Sequence, residues 1–108
     1  MTRGELIAYC LTYPDAYEDY PFGDDEWAAL RHLGSRKTFA FLYERNGKLC
    51  ANLKVEPMTG DFFRQTLPYV QPAYHMNKIH WITLVVDDCP DETEIYSLIG
   101  ESYELTKK

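Results

Sequence analysis

Apolar residues fall at helical spacing at the start of the chain, where Leu6, Ile7, Cys10 and Leu11 lie three to four positions apart. The tetrad Thr2-Arg3-Gly4-Glu5 before them fits a capping box, in which the threonine hydroxyl accepts from the Glu5 amide. Pro14 ends this helix, because the residue before a proline is pushed out of the α region. Extended segments follow at Tyr17 to Tyr20 and Trp27 to Leu33, around the acidic turn Phe22-Gly23-Asp24-Asp25-Glu26.

Between Lys37 and Val55 the period changes to two. Asn46-Gly47 is the dipeptide favoured by a type I′ turn, whose two central residues both need positive φ, and strand-like runs flank it on each side. A two-residue loop sets Arg45 opposite Lys48, Tyr43 opposite Cys50, Phe41 opposite Asn52 and Phe39 opposite Lys54, all on one face. The other face carries Ala40, Leu42, Leu49, Ala51 and Leu53, small and aliphatic enough to pack under helices. The aromatic and cationic face is then either a second core surface or a ligand platform.

Pro57 suits a first helical position, and the segment to about Thr66 reads as a short helix with Phe62, Phe63 and Leu67 inward. The two prolines of Leu67 to Tyr74 indicate irregular structure or an edge strand. His80 to Val86 alternates Ile82, Leu84 and Val86 with Trp81, Thr83 and Val85, as a buried strand does. In the last segment Asp91 can cap a helix, with Glu94 completing a box, and Ile95, Leu98, Ile99 and Tyr103 share one helical face. Helix, strands, helix, strands, helix describes an α+β domain of two layers, an antiparallel sheet of about five strands with helices mainly on one face. At 108 residues, positions 1–108 form one domain with one core.

Composition adds a charge partition. The net charge of −6 disfavours a protein that coats nucleic acid non-specifically, since such affinity comes from cations displacing phosphate counterions. Residues 1–34 and 82–108 each carry two Lys/Arg against seven Asp/Glu, whereas residues 35–81 carry seven against three. Half of the sixteen aromatics also lie in that middle segment. Either the terminal helices are acidic for solubility and the sheet is what remains, or the basic centre meets an anion.

The three cysteines, Cys10, Cys50 and Cys89, lie far apart, so reduced and mostly buried thiols are expected rather than a disulfide framework or a CxxC site. No apolar run reaches the ~20 residues of a membrane span, and the first residues lack a signal-peptide h-region, so a cytoplasmic location is expected. His75 and His80 are five apart, unsuited to one helical face and on opposite sides of a strand, so no metal site is expected. No GxGxxG, Walker loop or HExxH occurs, and no acid/base pair is identifiable. These readings lead to a protein without a cofactor and without catalytic residues.

The initial helix ending near a proline, "KTFAF" entering a hairpin, "ANLKVEP", "PAYHMNKIHWITLVV" and the closing "LIGESYEL" together resemble the MmcQ/YjbR family over nearly the whole chain. The matching positions are Phe39, Lys54, Pro57, Tyr74, Asn77, Lys78, His80 and Trp81. The resemblance implies a two-layer fold of the CyaY-like or secretion-chaperone-like kind and a DNA-binding role, the latter by analogy of fold.

The resulting expectation is a non-enzymatic domain with a nucleic-acid contact surface built from Arg45, Lys48, Lys54, Asn77, Lys78, His80 and Trp81. Arg45, Lys48, Lys54 and Lys78 would meet phosphates, and Phe41, Tyr43 or Trp81 would offer stacking planes. Asn77 would bond a base edge, or alternatively make a turn. Four phosphate contacts imply a log-log salt slope of about −3 to −4. The alternative is a protein-interaction or chaperone-like module in which the same face docks a partner.

Overall fold

A computed structural model describes all 108 residues. Its elements are α1 (Arg3–Cys10), β1 (Ala16–Asp19), β2 (Ala28–His32), β3 (Thr38–Arg45), β4 (Lys48–Lys54), α2 (Pro57–Thr66), β5 (Val70–Pro72), β6 (Trp81–Val85) and α3 (Glu92–Thr106), with a 3-10 turn at Val86–Asp88 before the last helix. The strands form one antiparallel sheet of six, ordered β1-β2-β3-β4-β6-β5. The additional strand is β5, three residues at the sheet edge where a proline's missing N–H costs nothing.

Local chemistry accounts for most boundaries. The Thr2 hydroxyl and Glu5 carboxylate form the reciprocal capping box of α1, and Leu6 and Cys10 face the core. Asn46 and Gly47 adopt φ of 55° and 76°, as the type I′ turn requires. Pro57 begins α2 and the Asp91 carboxylate caps α3 by accepting from the Thr93 amide. Glu94, expected to complete that cap, instead accepts a hydrogen bond from the Tyr69 hydroxyl at 2.6 Å, tying α3 to the entrance of β5.

The main core lies between the helices and one sheet face. Leu6, Cys10, Leu30, Ala40, Leu42, Ala51, Leu53, Ile82, Leu84, Ile95 and Ile99 are buried together there. Gly60 permits the close approach of α2, since a Cβ at that position would stand 2.7 Å from Val55 Cγ2. Phe63 and Leu67 pack against the core, but Phe62 points outward at 61% exposure and is not an inward residue.

One expectation about the hairpin is corrected. Arg45↔Lys48, Tyr43↔Cys50 and Phe41↔Asn52 pair as the two-residue turn dictates, yet the β3·β4 ladder stops at Ala40↔Leu53. On the other side of β3, Leu30 pairs with Ala40 and Arg31 with Thr38, leaving Phe39 as the extra residue of a bulge. Phe39 therefore turns to the helix side, where its ring meets those of Tyr103 at 5.2 Å, His32 at 5.3 Å and Tyr13 at 6.0 Å. The Ser102 hydroxyl fills the interrupted ladder: it accepts from the Lys54 amide at 2.8 Å and donates to the Phe39 carbonyl at 2.6 Å.

Candidate functional site

The sheet face away from the main core is the only one on which cations and rings of several strands meet. Register places Ala29, Phe41, Asn52, Thr83 and Gln71 in one row across five strands, with Tyr43, Cys50 and Val85 toward the hairpin tip. Lys54 and Trp81 are direct partners at the opposite end. This face is bordered by the loops before β2 and β6, with Arg3 at the start of α1 reaching its Trp27–Tyr43 edge.

Part of it is a second, polar core. Tyr43, Asn52 and Thr83 are essentially inaccessible, and Asn52 Oδ1 accepts from both the Tyr43 hydroxyl and the Thr83 hydroxyl at 2.6 Å. The Asn52 amide donates to the Tyr74 carbonyl and the Tyr74 amide donates to Thr83 Oγ1, each at 2.8 Å. Three strands thus clamp the loop that carries Tyr74, and every polar group in the clamp is paired. Burial pushes the Tyr43 hydroxyl up to about 12, so it stays a donor. Burial likewise raises Cys50, keeping it a thiol.

Rings cover the clamp. Trp27 lies flat on Tyr43 at 3.9 Å and 6°, and Tyr74 flanks both at 6.2 Å and 5.9 Å. Phe41 continues the array to Trp81 at 6.2 Å. Phe41 and Trp81 remain half-buried, presenting part of their rings to solvent.

The anticipated site residues occupy three places. At the hairpin tip, Arg45 is exposed with its guanidinium carbon 3.9 Å from the Tyr74 centroid, while Lys48 binds both Asp88 oxygens at 2.8 and 3.0 Å. At the far end, the half-buried Lys54 holds its ammonium 6.0 Å from the Trp81 centroid. In the loop entering β6, Asn77 Oδ1 accepts from the Ile79 and His80 amides at 2.8 and 3.1 Å, and its carbonyl accepts from the Trp81 amide. Asn77 therefore shapes the turn and keeps only its NH2 group free. Lys78 and His80 are exposed, and the His80 carbonyl accepts from the Val55 amide. The ion pairs of the molecule join Arg31 to Asp19, Lys48 to Asp88, Arg64 to Asp61 and Lys107 to Glu104, and Arg45, Lys54 and Lys78 belong to none.

Trp27, Phe22 and the Asn52–Thr83 pair were not singled out by the sequence reading. A polar Asn52 inside an otherwise apolar strand, opposite a central-strand Thr83, is the signal that could have shown the clamp. No group of three His, Cys, Asp or Glu side chains is placed to hold a metal ion, and no helix is long and apolar enough to cross a membrane.

Comparison with known proteins bears on the identity of the fold. A YjbR protein of Escherichia coli K12 is 31% identical over 104 residues, covering 96% of this chain and 86% of its own. YyaQ of Bacillus subtilis is 35% identical over 118 residues and is covered to 99% on both sides. Both relatives are described as uncharacterised proteins. A crystal structure of a Pseudomonas syringae protein superposes with a TM-score of 0.87 at 34% identity, covering 98% of this chain and 99% of that one. A Deinococcus radiodurans protein superposes equally well at 32% identity, over 99% of this chain and 79% of its own. The YjbR family model matches residues 11–105, and with these relatives it establishes that the chain belongs to the YjbR family.

Proposed function

We propose that the sheet face away from the main core binds single-stranded nucleic acid, without catalysing a reaction. The observation that carries this reading is Lys54: the residue is half-buried, and its ammonium is free of any carboxylate partner and set over Trp81 beside the partly exposed ring of Phe41. An unpaired cation next to open ring planes suits a phosphate followed by a stacked base. Stacking needs unpaired bases, which favours single strands over duplex. Arg45 lies about 20 Å along the strands from Lys54, by the six-residue step from its register partner Lys48, and Lys78 is an exposed cation of the loop entering β6, its carbonyl accepting from Arg64 of α2.

With Lys48 held by Asp88, three cations remain for phosphates. The expected log-log salt slope is then about −2, so binding weakens by roughly 20-fold between 50 and 200 mM salt. Fluorescence anisotropy with single-stranded and duplex oligonucleotides at those salt concentrations tests this. Salt-sensitive binding of single strands, weakened by Lys54→Ala plus Lys78→Ala, supports the reading, and no binding at low salt refutes it.

A second reading has its own support. Phe22 is 62% exposed against Phe41 and Trp27, an apolar ring of the sort that a docked protein surface covers. That reading expects self-association or partner capture relieved by Phe41→Asp in sedimentation velocity, with the fold retained by circular dichroism.

A further inference from the structure

We propose that the loop before β2, together with His75, forms a receptor for an organic ammonium group of the quaternary or methylated class, at a place separate from the Lys54–Trp81 end. A cavity of about 290 Å³ is lined by Phe22, Asp24, Glu26, Trp27 and His75. Its walls are mutually inclined rings. Phe22 stands perpendicular to Trp27, at 5.8 Å and 89°, and His75 is tilted 41° to Trp27 at 6.4 Å. Trp27 cannot swing away, because its indole is stacked on Tyr43, itself fixed by the buried clamp.

The charge in the cavity is unspent. Neither Asp24 nor Glu26 forms an ion pair; Arg3 and Arg45 border the other side of Glu26 and Trp27, where Arg3 donates to the Asp25 backbone carbonyl instead of to a carboxylate and Arg45 lies over the Tyr74 ring. Asp24 Oδ1 accepts from the Glu26 amide at 3.0 Å, which folds the loop so that both acidic residues border the rings. Ring faces carry negative quadrupole potential, and two carboxylates without an ion-pair partner add to it, so phosphate and carboxylate ligands are disfavoured. A neutral apolar ligand would desolvate the carboxylates without return. A methylated ammonium offers a broad apolar surface to the rings and its positive charge to the acids.

That chemistry has two sources, a free quaternary amine or a methylated lysine side chain of a peptide. Isothermal titration of the full chain with choline, with a short peptide bearing trimethyllysine, with the same peptide unmodified, and with 3,3-dimethyl-1-butanol distinguishes them. Choline binding as well as the modified peptide identifies the free amine, and a peptide at least tenfold tighter identifies the side chain. Either result supports the site when the uncharged butanol isostere binds about tenfold more weakly and Phe22→Ala and Glu26→Gln each weaken binding by about fivefold. Lys54→Ala leaves this binding unchanged, so loss of nucleic-acid binding and loss of the ammonium site are read separately. Failure of both cationic ligands to bind at millimolar concentration, or equal binding of the isostere, overturns the proposal.

Discussion

Ser102 of α3 donates its hydroxyl hydrogen to the carbonyl of Phe39 at 2.6 Å, at the point where the bulge interrupts the pairing of β3 with β4. The same oxygen accepts the Lys54 amide, so one helical side chain satisfies a backbone donor and a backbone acceptor that the sheet cannot pair. The last helix is thereby bonded to the sheet as well as packed on it.

Ser102→Ala is expected to leave both backbone groups unpaired in a buried place, at a cost of about 2–4 kcal/mol in urea-unfolding stability. Because the Lys54 amide donates to this hydroxyl beside the bulge, its hydrogen-exchange protection should fall locally. A loss below about 0.5 kcal/mol would refute this role for the serine.

Asn52 serves two hydroxyl donors and one carbonyl at once, so Asn52→Ala should cost about 2–4 kcal/mol and loosen the loop from Tyr74 to His80. Tyr43→Phe should cost about 1 kcal/mol, since the Thr83 hydroxyl still donates to Asn52. The two losses should be non-additive by more than about 0.5 kcal/mol in a double-mutant cycle, because the groups share one oxygen.

Gly60→Ala ordinarily favours a helix by up to about 1 kcal/mol. Here the new methyl would meet Val55 Cγ2 at 2.7 Å with Ile82 Cγ2 at 3.5 Å beyond it, so α2 would have to move off the sheet. The variant is expected to be destabilised by about 1–3 kcal/mol, and Gly60→Ala combined with Val55→Ala should recover part of the loss, as read by thermal unfolding.

His32 is buried against Phe39 and Tyr103, with Nε2 2.8 Å from Thr106 Oγ1. The Thr106 hydroxyl donates to the Ser102 carbonyl at 2.8 Å, so the histidine is the donor in the pair and the neutral Nε2–H form fits. Burial, reinforced by Lys107 and Lys37, holds its pKa below the ordinary 6.5. The unfolded chain therefore binds the proton more readily than the folded one. Stability should be full above about pH 6.5 and decline as the pH falls from there toward the lowered folded value. Urea midpoints measured between pH 7.5 and 5 should show this decline, and His32→Gln should flatten it.

Burial pushes the Cys10 thiol up to about 12 and also raises Cys50 and Cys89, but Cys89 is only half-buried. A thiol reagent at pH 8 should label Cys89 first, and Cys10 and Cys50 only on unfolding, with mass spectrometry as the readout. Fast labelling of Cys50 in the folded protein would contradict the closed clamp.

Much of the fold was legible because its signals are local. The Thr2–Glu5 box, the Asn46-Gly47 turn, Pro57 and the alternation of Ile82, Leu84 and Val86 each depend on residues within one turn or one strand of each other. The family pattern added Lys54, Trp81 and the Asn77–His80 loop, and the sheet does set Lys54 against Trp81 as partners. Phe62 was expected inward with Phe63, but α2 meets the sheet through Gly60 against Val55 and Ile82, and in that orientation Phe63 packs on the core while Phe62 is exposed.

What the sequence settled by itself was the identity and order of the elements, since capping, turn chemistry and periodicity act over a few residues. Tertiary structure alone decided which groups remain free. Phe39 left the open face because a bulge cancels the period of two, Lys48 was neutralised by Asp88 forty positions away, and Phe22, Trp27 and His75 met across separate loops. Each of these outcomes depends on distance in space between residues remote in the chain, which no local pattern encodes.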